Sequence, residues 1–304
     1  IKALAEGKVE KVFYLTAKTM GRVAAETALA DLRRDGLRLR AVTLTARDKI
    51  CFGETKPCDV AVCPFALGYF DRVAEAIRQA LAREVLDRPT LEDVARQHRV
   101  CPFALSREVI LWADLVICDY NYVFDPKVLL RRFFTEESGA SAFLVDEAHN
   151  LVDRAREMFS ADLERSQLAE VKRAVQTEAP ACARALDRAL RTWSALRRAA
   201  PDTPELEPDR SFARADAPTD LVRRLRDFLK EAELWLARPQ PAPCREPLLD
   251  LYFRVAGFVR TAELYDERYV TLFESSGPQS RVRLFCLDPS KLLQEALDRS
   301  QSAV

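Results

Sequence analysis

Ala142-Phe143-Leu144-Val145-Asp146-Glu147-Ala148-His149 decides the reading of the fold: four apolar residues run straight into two adjacent carboxylates and a histidine. An unbroken apolar run of this length suits a strand buried on both faces, as in a parallel sheet covered by helices. Open sheets of that kind hold their ligands at the carboxyl ends of the strands, which is where Asp146 and Glu147 fall. Working outward, four more runs have the same character. They are Val12-Phe13-Tyr14-Leu15-Thr16, Ala41-Val42-Thr43-Leu44, Leu115-Val116-Ile117-Cys118 and Val282-Arg283-Leu284-Phe285-Cys286. Thr19 to Arg34 reads as a crossover helix, with Thr19 as its N-cap and Gly36 as its stop. The expected class is α/β.

Two stretches interrupt this alternation. Residues 47 to about 112 hold four cysteines and two helical patterns, Leu67–Leu86 and Leu91–His98. Residues 155 to 278 read as nearly all helical, with apolar spacings such as Leu221, Leu225, Phe228 and Leu229. Proline-rich breaks at Ala200–Pro208 and Pro239–Pro247 divide them into helical hairpins. The simplest topology is one sheet domain with two insertions, to which the run at 282–286 returns.

The 304 residues include 47 basic and 47 acidic side chains, a formal net charge of zero. That balance argues against wrapping duplex DNA by bulk charge and leaves room for a local basic groove. A composition of 48% hydrophobic and 31% charged residues excludes wholesale disorder. No apolar run approaches the roughly 18 residues that span a bilayer, and no signal peptide opens the chain. The expected location is therefore cytoplasmic. Eight cysteines are too few for a secreted disulfide scaffold, so a clustered subset points to a metal or cluster site.

A carboxylate at a strand's carboxyl end can hold Mg²⁺, and its neighbour can orient and deprotonate an attacking water. Asp146 is expected on the metal side and Glu147 as the base of a nucleotide hydrolase, with His149 sensing the terminal phosphate. Favourable acidic residues at a helix start are the plainer alternative. Cys51, Cys58, Cys63 and Cys101 are spaced by six, four and 37 residues. Four thiolates close a tetrahedral site for zinc or hold an iron–sulfur cube, and spacing alone leaves zinc, a cluster or four buried thiols open. His98 is expected as a helix-end charge rather than a ligand. The other cysteines, 118, 182, 244 and 286, read as structural, and Trp193 and Trp235 as core.

Further residues carry a resemblance. Val100-Cys101-Pro102-Phe103-Ala104-Leu105-Ser106-Arg107, Trp112-Ala113-Asp114, Asp119-Tyr120-Asn121-Tyr122-Val123-Phe124-Asp125-Pro126 and Asp146-Glu147-Ala148-His149-Asn150 occur in this order. Together with the cysteines they resemble the XPD/DinG-like iron–sulfur DNA helicases of superfamily 2. The resemblance implies a RecA-like parallel-sheet motor domain with a small helical iron–sulfur insertion and a mostly α-helical arch insertion. It implies motor-domain segments at 1–46, 113–154 and 279–304, a cluster domain at 47–112 and the arch at 155–278. Cys51, Cys58, Cys63 and Cys101 match the ligands of a 4Fe–4S cluster. Phe103, Arg107 and Arg47 match positions that touch single-stranded DNA, and Thr16-Ala17-Lys18-Thr19 looks like a motif that grips the DNA backbone through Lys18 and Thr19. The tyrosines of 119–126 and Phe124 read equally well as core. Arg223, Arg224 and Arg226, or Arg197 and Arg198, are arginines that could line a strand passage, though a solvated face is the plainer reading.

The implied activity is ATP-dependent, Mg²⁺-requiring 5′→3′ unwinding of DNA in repair or replication. It implies a monomer that acts on single-stranded and forked DNA in the bacterial cytosol or nucleoid. Passive single-strand binding and a zinc-stabilised switch without unwinding are the competing readings. The sequence departs from the family in lacking a G-x-x-x-x-G-K-S/T phosphate loop. The expectation is therefore an internal piece of a longer helicase, inactive alone, whose sheet exposes an edge beside the Asp146 strand.

Overall fold

The computed structural model describes every residue except 54–59, 61–62, 84, 129, 135–139, 199–210, 239–241, 277–278, 301 and 304. Cys58, the first proline-rich break and the start of the second lie outside the described residues, as do the side chains of Arg197 and Arg198. The chain divides into two compact units, Ile1–Val152 with Lys291–Val304, and Asp153–Ser290.

In chain order the first unit holds α1 (Lys2–Ala5), β1 (Lys11–Leu15), α2 (Thr19–Arg34), β2 (Ala41–Thr43), α3 (Arg47–Ile50), α4 (Tyr69–Leu81), α5 (Arg88–His98), α6 (Pro102–Val109), β3 (Leu115–Cys118), α7 (Asn121–Phe124) and β4 (Ser141–Val145). Then come α8 (Leu151–Met158), β5 (Ala161–Glu164), α9 (Arg165–Ala174), α10 (Pro180–Arg198), β6 (Phe212–Arg214), α11 (Thr219–Leu236), α12 (Arg245–Glu263), β7 (Tyr269–Ser276) and β8 (Gln279–Cys286). Finally α13 (Ser290–Leu297) and β9 (Ser302–Ala303) lead into and complete the first unit.

The first unit is built on a five-stranded sheet of order β2-β3-β1-β4-β9, parallel throughout. The α/β reading therefore stands. Register aligns Leu15 with Cys118 on one side and Val145 on the other, so Thr16, Asp119 and Asp146 emerge from one carboxyl edge. One face packs Phe13 against Phe143, Phe133 and Phe134 at ring distances of 5.3–6.2 Å. Full burial of each such side chain contributes about 1.5–3 kcal/mol. The other face sets Val12, Ala41, Leu115 and Ile117 against Leu29 of α2. Its cap falls one residue earlier than expected: extended Lys18 is the N-cap, without a side-chain cap bond, and Thr19 opens the helix. Gly36 beyond its end has φ +93°, the left-handed backbone that glycine adopts at a helix stop.

Four expectations need correction. The DEAH strand β4 is paired on both sides, by β1 and β9, rather than left with an open edge. Nor is it buried on both faces, since Leu144 is 39% exposed. The run Val282–Cys286 does not rejoin the parallel sheet: as part of β8 it lies in a second, antiparallel sheet of order β5-β8-β7-β6. Its alternation explains this. Val282, Leu284 and Cys286 are buried while Arg281, Arg283 and Phe285 are not, the period of a strand with one covered face. Residues 155–278 are likewise not all helix, because β5, β6 and β7 lie among them.

The second unit packs α9, α10, α11 and α12 on the inner face of that sheet around Trp193, Phe228, Phe258 and Val282. Trp193 and Trp235 are core, as expected, and each indole N–H is satisfied: Trp193 donates to Ser280 Oγ at 2.9 Å and Trp235 to the Glu178 carbonyl at 3.0 Å. Cys118, Cys182, Cys244 and Cys286 are buried. Among the described residues, no helix is long and apolar enough to cross a membrane.

Candidate functional site

The Asp146-Glu147-Ala148-His149 stretch leaves β4 through a sharp turn. Glu147 has φ 54° and ψ 44°, one of two non-glycine residues with positive φ among those described. Holding a side-chain-bearing residue there costs of order 1–3 kcal/mol, a strain that concentrates at functional sites. Three elements hold the turn. Asp146 Oδ2 accepts from Thr16 Oγ1 at 2.9 Å, and the Asp146 N–H bonds to the Leu15 carbonyl. The buried Tyr120 hydroxyl donates to the Asp146 carbonyl and, at 3.3 Å, to that of Glu147. Gly21 is the third: a Cβ there would lie 2.2 Å from Asp146 Oδ2, so only glycine lets α2 approach this closely.

The Glu147 carboxylate stays accessible, with Lys18 Nζ at 3.8 Å and His149 Nε2 at 3.3 Å. Asp146, Glu147 and His149 are thus brought together at a strand's carboxyl edge. Lys18, expected among the DNA contacts, also lies within ion-pair distance of the candidate base. The arrangement suits an ion held through Asp146 and a water oriented by Glu147.

Two cavities open on the same sheet edge. One of about 500 Å³ is lined by Arg47, Phe103, Arg107, Asn121 and Tyr122, among others, so the structure brings together three of the expected DNA contacts. The Arg107 guanidinium lies 5.9 Å from the Phe103 ring centroid. The other, about 90 Å³, is lined by Lys18, Thr19, Arg22, Thr45 and Lys49. Ala46, Asp119 and Tyr122 line both. Burial, with Cys118 and Asp119 nearby, pushes the Tyr122 phenol up to about 12, so it stays protonated. Arg22, Thr45 and Lys49 escape a reading of the sequence because they come from three elements that only the parallel register gathers.

The cysteines sit on a lobe built from α3 to α6. Cys51, Cys63 and Cys101 are all free and half-buried. Burial raises the Cys101 thiol, backbone N–H groups of Ala104 and Phe103 lower it, and Cys51 and Cys63 lie near enough to raise it further. Arg72 ties the two outer stretches together, donating to the Leu67 carbonyl at 2.6 Å and the Arg99 carbonyl at 2.9 Å. Arg99 is the second positive-φ residue, two before Cys101. Phe52 packs edge-on to Phe65 at 5.1 Å, with Arg96 over its ring at 4.5 Å. No three ligands are closed into coordination geometry among the described residues. Thiolate donors of this kind suit zinc or an iron–sulfur group, and Arg72 ties the Cys63 turn to the stretch before Cys101. His98, the last residue of α5, shares a hydrogen bond through Nε2 with Gln79 Oε1.

The DEAD_2 family model matches residues 38–168, a span that contains the cysteines, β3, β4 and the acidic turn. This span of the chain is similar to the XPD-like helicases of superfamily 2. Within this group the chain is 30% identical over 151 residues to Regulator of telomere elongation helicase 1 of Homo sapiens, covering 46% of this chain and 12% of that protein. It is 37% identical over 78 residues to the Fanconi anemia group J protein homolog of Gallus gallus, covering 26% and 6%. The chain thus spans a small part of the length of these relatives. A solved structure described as Truncated XPD superposes with a TM-score of 0.55 at 14% identity, covering 99% of this chain and 82% of that one. The XPD-like fold thus extends over both units, whereas the family match ends at Leu168.

Proposed function

We propose that the chain serves an ATP-dependent DNA helicase that couples nucleotide hydrolysis to 5′→3′ movement along single-stranded DNA, and so to unwinding of forked DNA in repair or replication. One observation carries this reading. The Tyr120 hydroxyl grips the backbone of the Asp146–Glu147 turn, and Tyr122, two residues on, lines both basic cavities. A single short segment therefore touches the acidic edge and the strand-sized groove, which is the connection a motor needs. Asp146 would hold Mg²⁺ with ATP, Glu147 would take the proton of the attacking water, and His149 beside Glu147 would sense the terminal phosphate. In the groove Phe103 stacks on a base while Arg47 and Arg107 meet phosphates. Lys18, Thr19 and Lys49 take a neighbouring phosphate.

Cys51, Cys58, Cys63 and Cys101 hold a 4Fe–4S cluster, which supplies a rigid crosslink of the lobe and one-electron chemistry when bound. The test is DNA-stimulated ATP turnover and unwinding by the complete protein, beside Glu147→Gln. General-base loss lowers turnover about 10²–10⁴-fold while leaving DNA binding intact. Undiminished hydrolysis in Glu147→Gln removes Glu147 as the base, and DNA affinity indifferent to nucleotide favours a passive clamp.

A further inference from the structure

The carboxyl edge of the parallel sheet gathers more positive charge than it neutralises. Lys18, Arg22 and Lys49 line the smaller cavity there, against one carboxylate, Asp119, whose Oδ1 already accepts the Asn121 N–H at 2.9 Å. Among the described residues, the side chains of Arg22 and Lys49 have no ion-pair partner. Two further features of this cavity call for an acceptor of negative charge. Four buried side-chain polar atoms lack a hydrogen-bond partner among the described residues: Thr45 Oγ1, Tyr69 Oη, Arg72 Nε and Arg268 Nη1. Native proteins satisfy nearly all such atoms. Of these four residues Thr45, only 2% exposed, lines the cavity. The wall also includes the start of α2, a 16-residue helix whose N-cap, Lys18, supplies no side-chain cap. Uncapped N–H groups at a helix start favour an oxyanion.

What sets this pocket apart from a plain phosphate grip is Lys18. Its Nζ lies 3.8 Å from Glu147 Oε2, the same oxygen that faces His149 Nε2 at 3.3 Å. The Lys18 side chain is 60% exposed, and its four-carbon stem is flexible, so the ammonium can turn to either neighbour. An ammonium beside a carboxylate favours the charged form and opposes its taking a proton from water. A phosphodiester in the cavity competes for that ammonium, with Arg22 and Lys49 in place to hold it.

Resting on the reading of Glu147 as the base, we propose that this cavity takes one backbone phosphate of single-stranded DNA and that the phosphate draws Lys18 away from Glu147. Thr45, Arg22, Lys49 and the start of α2 hold the phosphate. Without a strand, Lys18 restrains the base. With one, Oε2 is released to the attacking water, so a single side chain couples strand occupancy to hydrolysis.

The experiment measures ATP turnover by the complete protein across an oligothymidylate titration, for the parent, Lys18→Met, Lys18→Arg and Arg22→Gln. In Lys18→Met, turnover without DNA rises about two- to fivefold, the size expected of an exposed ion pair. Its fold-stimulation by DNA shrinks by the same factor. Lys18→Arg keeps the charge and restores the low DNA-free rate. Arg22→Gln raises the DNA concentration for half-maximal stimulation and keeps the maximal stimulation. A role for Lys18 in gripping phosphate alone would raise that concentration without lifting the DNA-free rate. An unlifted rate in Lys18→Met therefore overturns the coupling, and so does a parent whose turnover ignores DNA. Inorganic phosphate in place of DNA leaves the parent unstimulated; stimulation by it alone assigns the cavity to free phosphate and overturns the strand assignment. The base reading fails separately, through undiminished hydrolysis in Glu147→Gln.

Discussion

Both units pair arginines with carboxylates, but they differ in where backbone strain and unmet polar groups fall. In the second unit the arginines of α11 and β8 are matched by carboxylates: Arg223 with Asp220, Arg224 with Asp227, Arg226 with Glu263, Arg281 with Asp162 and Arg283 with Glu157. In the first, both positive-φ residues, Arg99 and Glu147, and three of the four orphaned buried polar atoms lie beside the cysteines, the acidic turn or the basic cavities. Strain and unmet donors persist only where the surrounding structure over-determines them. The proposed ligand chemistry accordingly lies in the first unit. In the second, Arg223, Arg224 and Arg226 each have a carboxylate partner, as residues of a solvated face do.

Substitutions in the complete protein test that division. The largest effect is expected from Cys101→Ser, which removes one of the four thiolates: iron and sulfide fall away and unwinding stops, while nucleotide binding persists without DNA. Metal analysis beside a nucleotide-binding titration checks it, and a fully loaded cluster in this variant removes Cys101 from the ligand set. Next comes Trp193→Ala in the second unit, where a fully buried ring and its bond to Ser280 are lost. A destabilisation of about 3–5 kcal/mol is expected in chemical denaturation, with the metal content of folded protein unchanged.

Gly21→Ala forces a Cβ into the Thr16–Asp146 contact. Overpacking of this kind costs about 1–3 kcal/mol, and ATP turnover should fall further than stability does; equal losses would make Gly21 a packing residue alone. Arg107→Ala should weaken single-stranded DNA binding and lower the slope of affinity against salt by about 1. Arg223→Ala, already neutralised by Asp220, should leave that slope unchanged. Equal slopes for the two would erase the contrast between the units.

The smallest effect is a pH dependence within the second unit. The Lys172 ammonium bonded to Asp187, helped by Arg191, holds that carboxyl below its ordinary value. A depressed carboxylate contributes stability above its unfolded value of about 3.9 and loses it as pH falls through the folded value. Lys172→Ala should flatten the acid limb of the unfolding midpoint curve below about pH 4 and leave it untouched near neutrality.

Much of this is legible from local pattern. Continuous apolar runs announce β1, β3 and β4, and Gly36 and the Asp-Glu pair mark where a helix stops and where a sheet ends. Local chemistry suffices there, because a residue's neighbours along the chain decide burial and backbone shape. The run at 282–286 misleads when it is read only as apolar, although the alternation through Arg281 and Arg283 is itself a local signal of period two. Residues 269–276 fall within the expected helical region because nothing in them opposes a helix as strongly as their partner β8 favours a strand.

The sequence by itself determined the parallel-sheet class, the acidic turn, the four candidate thiols and the resemblance to superfamily 2 helicases. Only the tertiary structure decided that Thr16, Gly21 and Tyr120 brace Asp146, that Lys18 turns to Glu147, and that Arg22, Thr45 and Lys49 share a cavity. It alone tied Arg72 to the Arg99 carbonyl, 27 residues further along the chain. Register and close approach are properties of pairs of segments, and no spacing within a single segment encodes which partner it will meet.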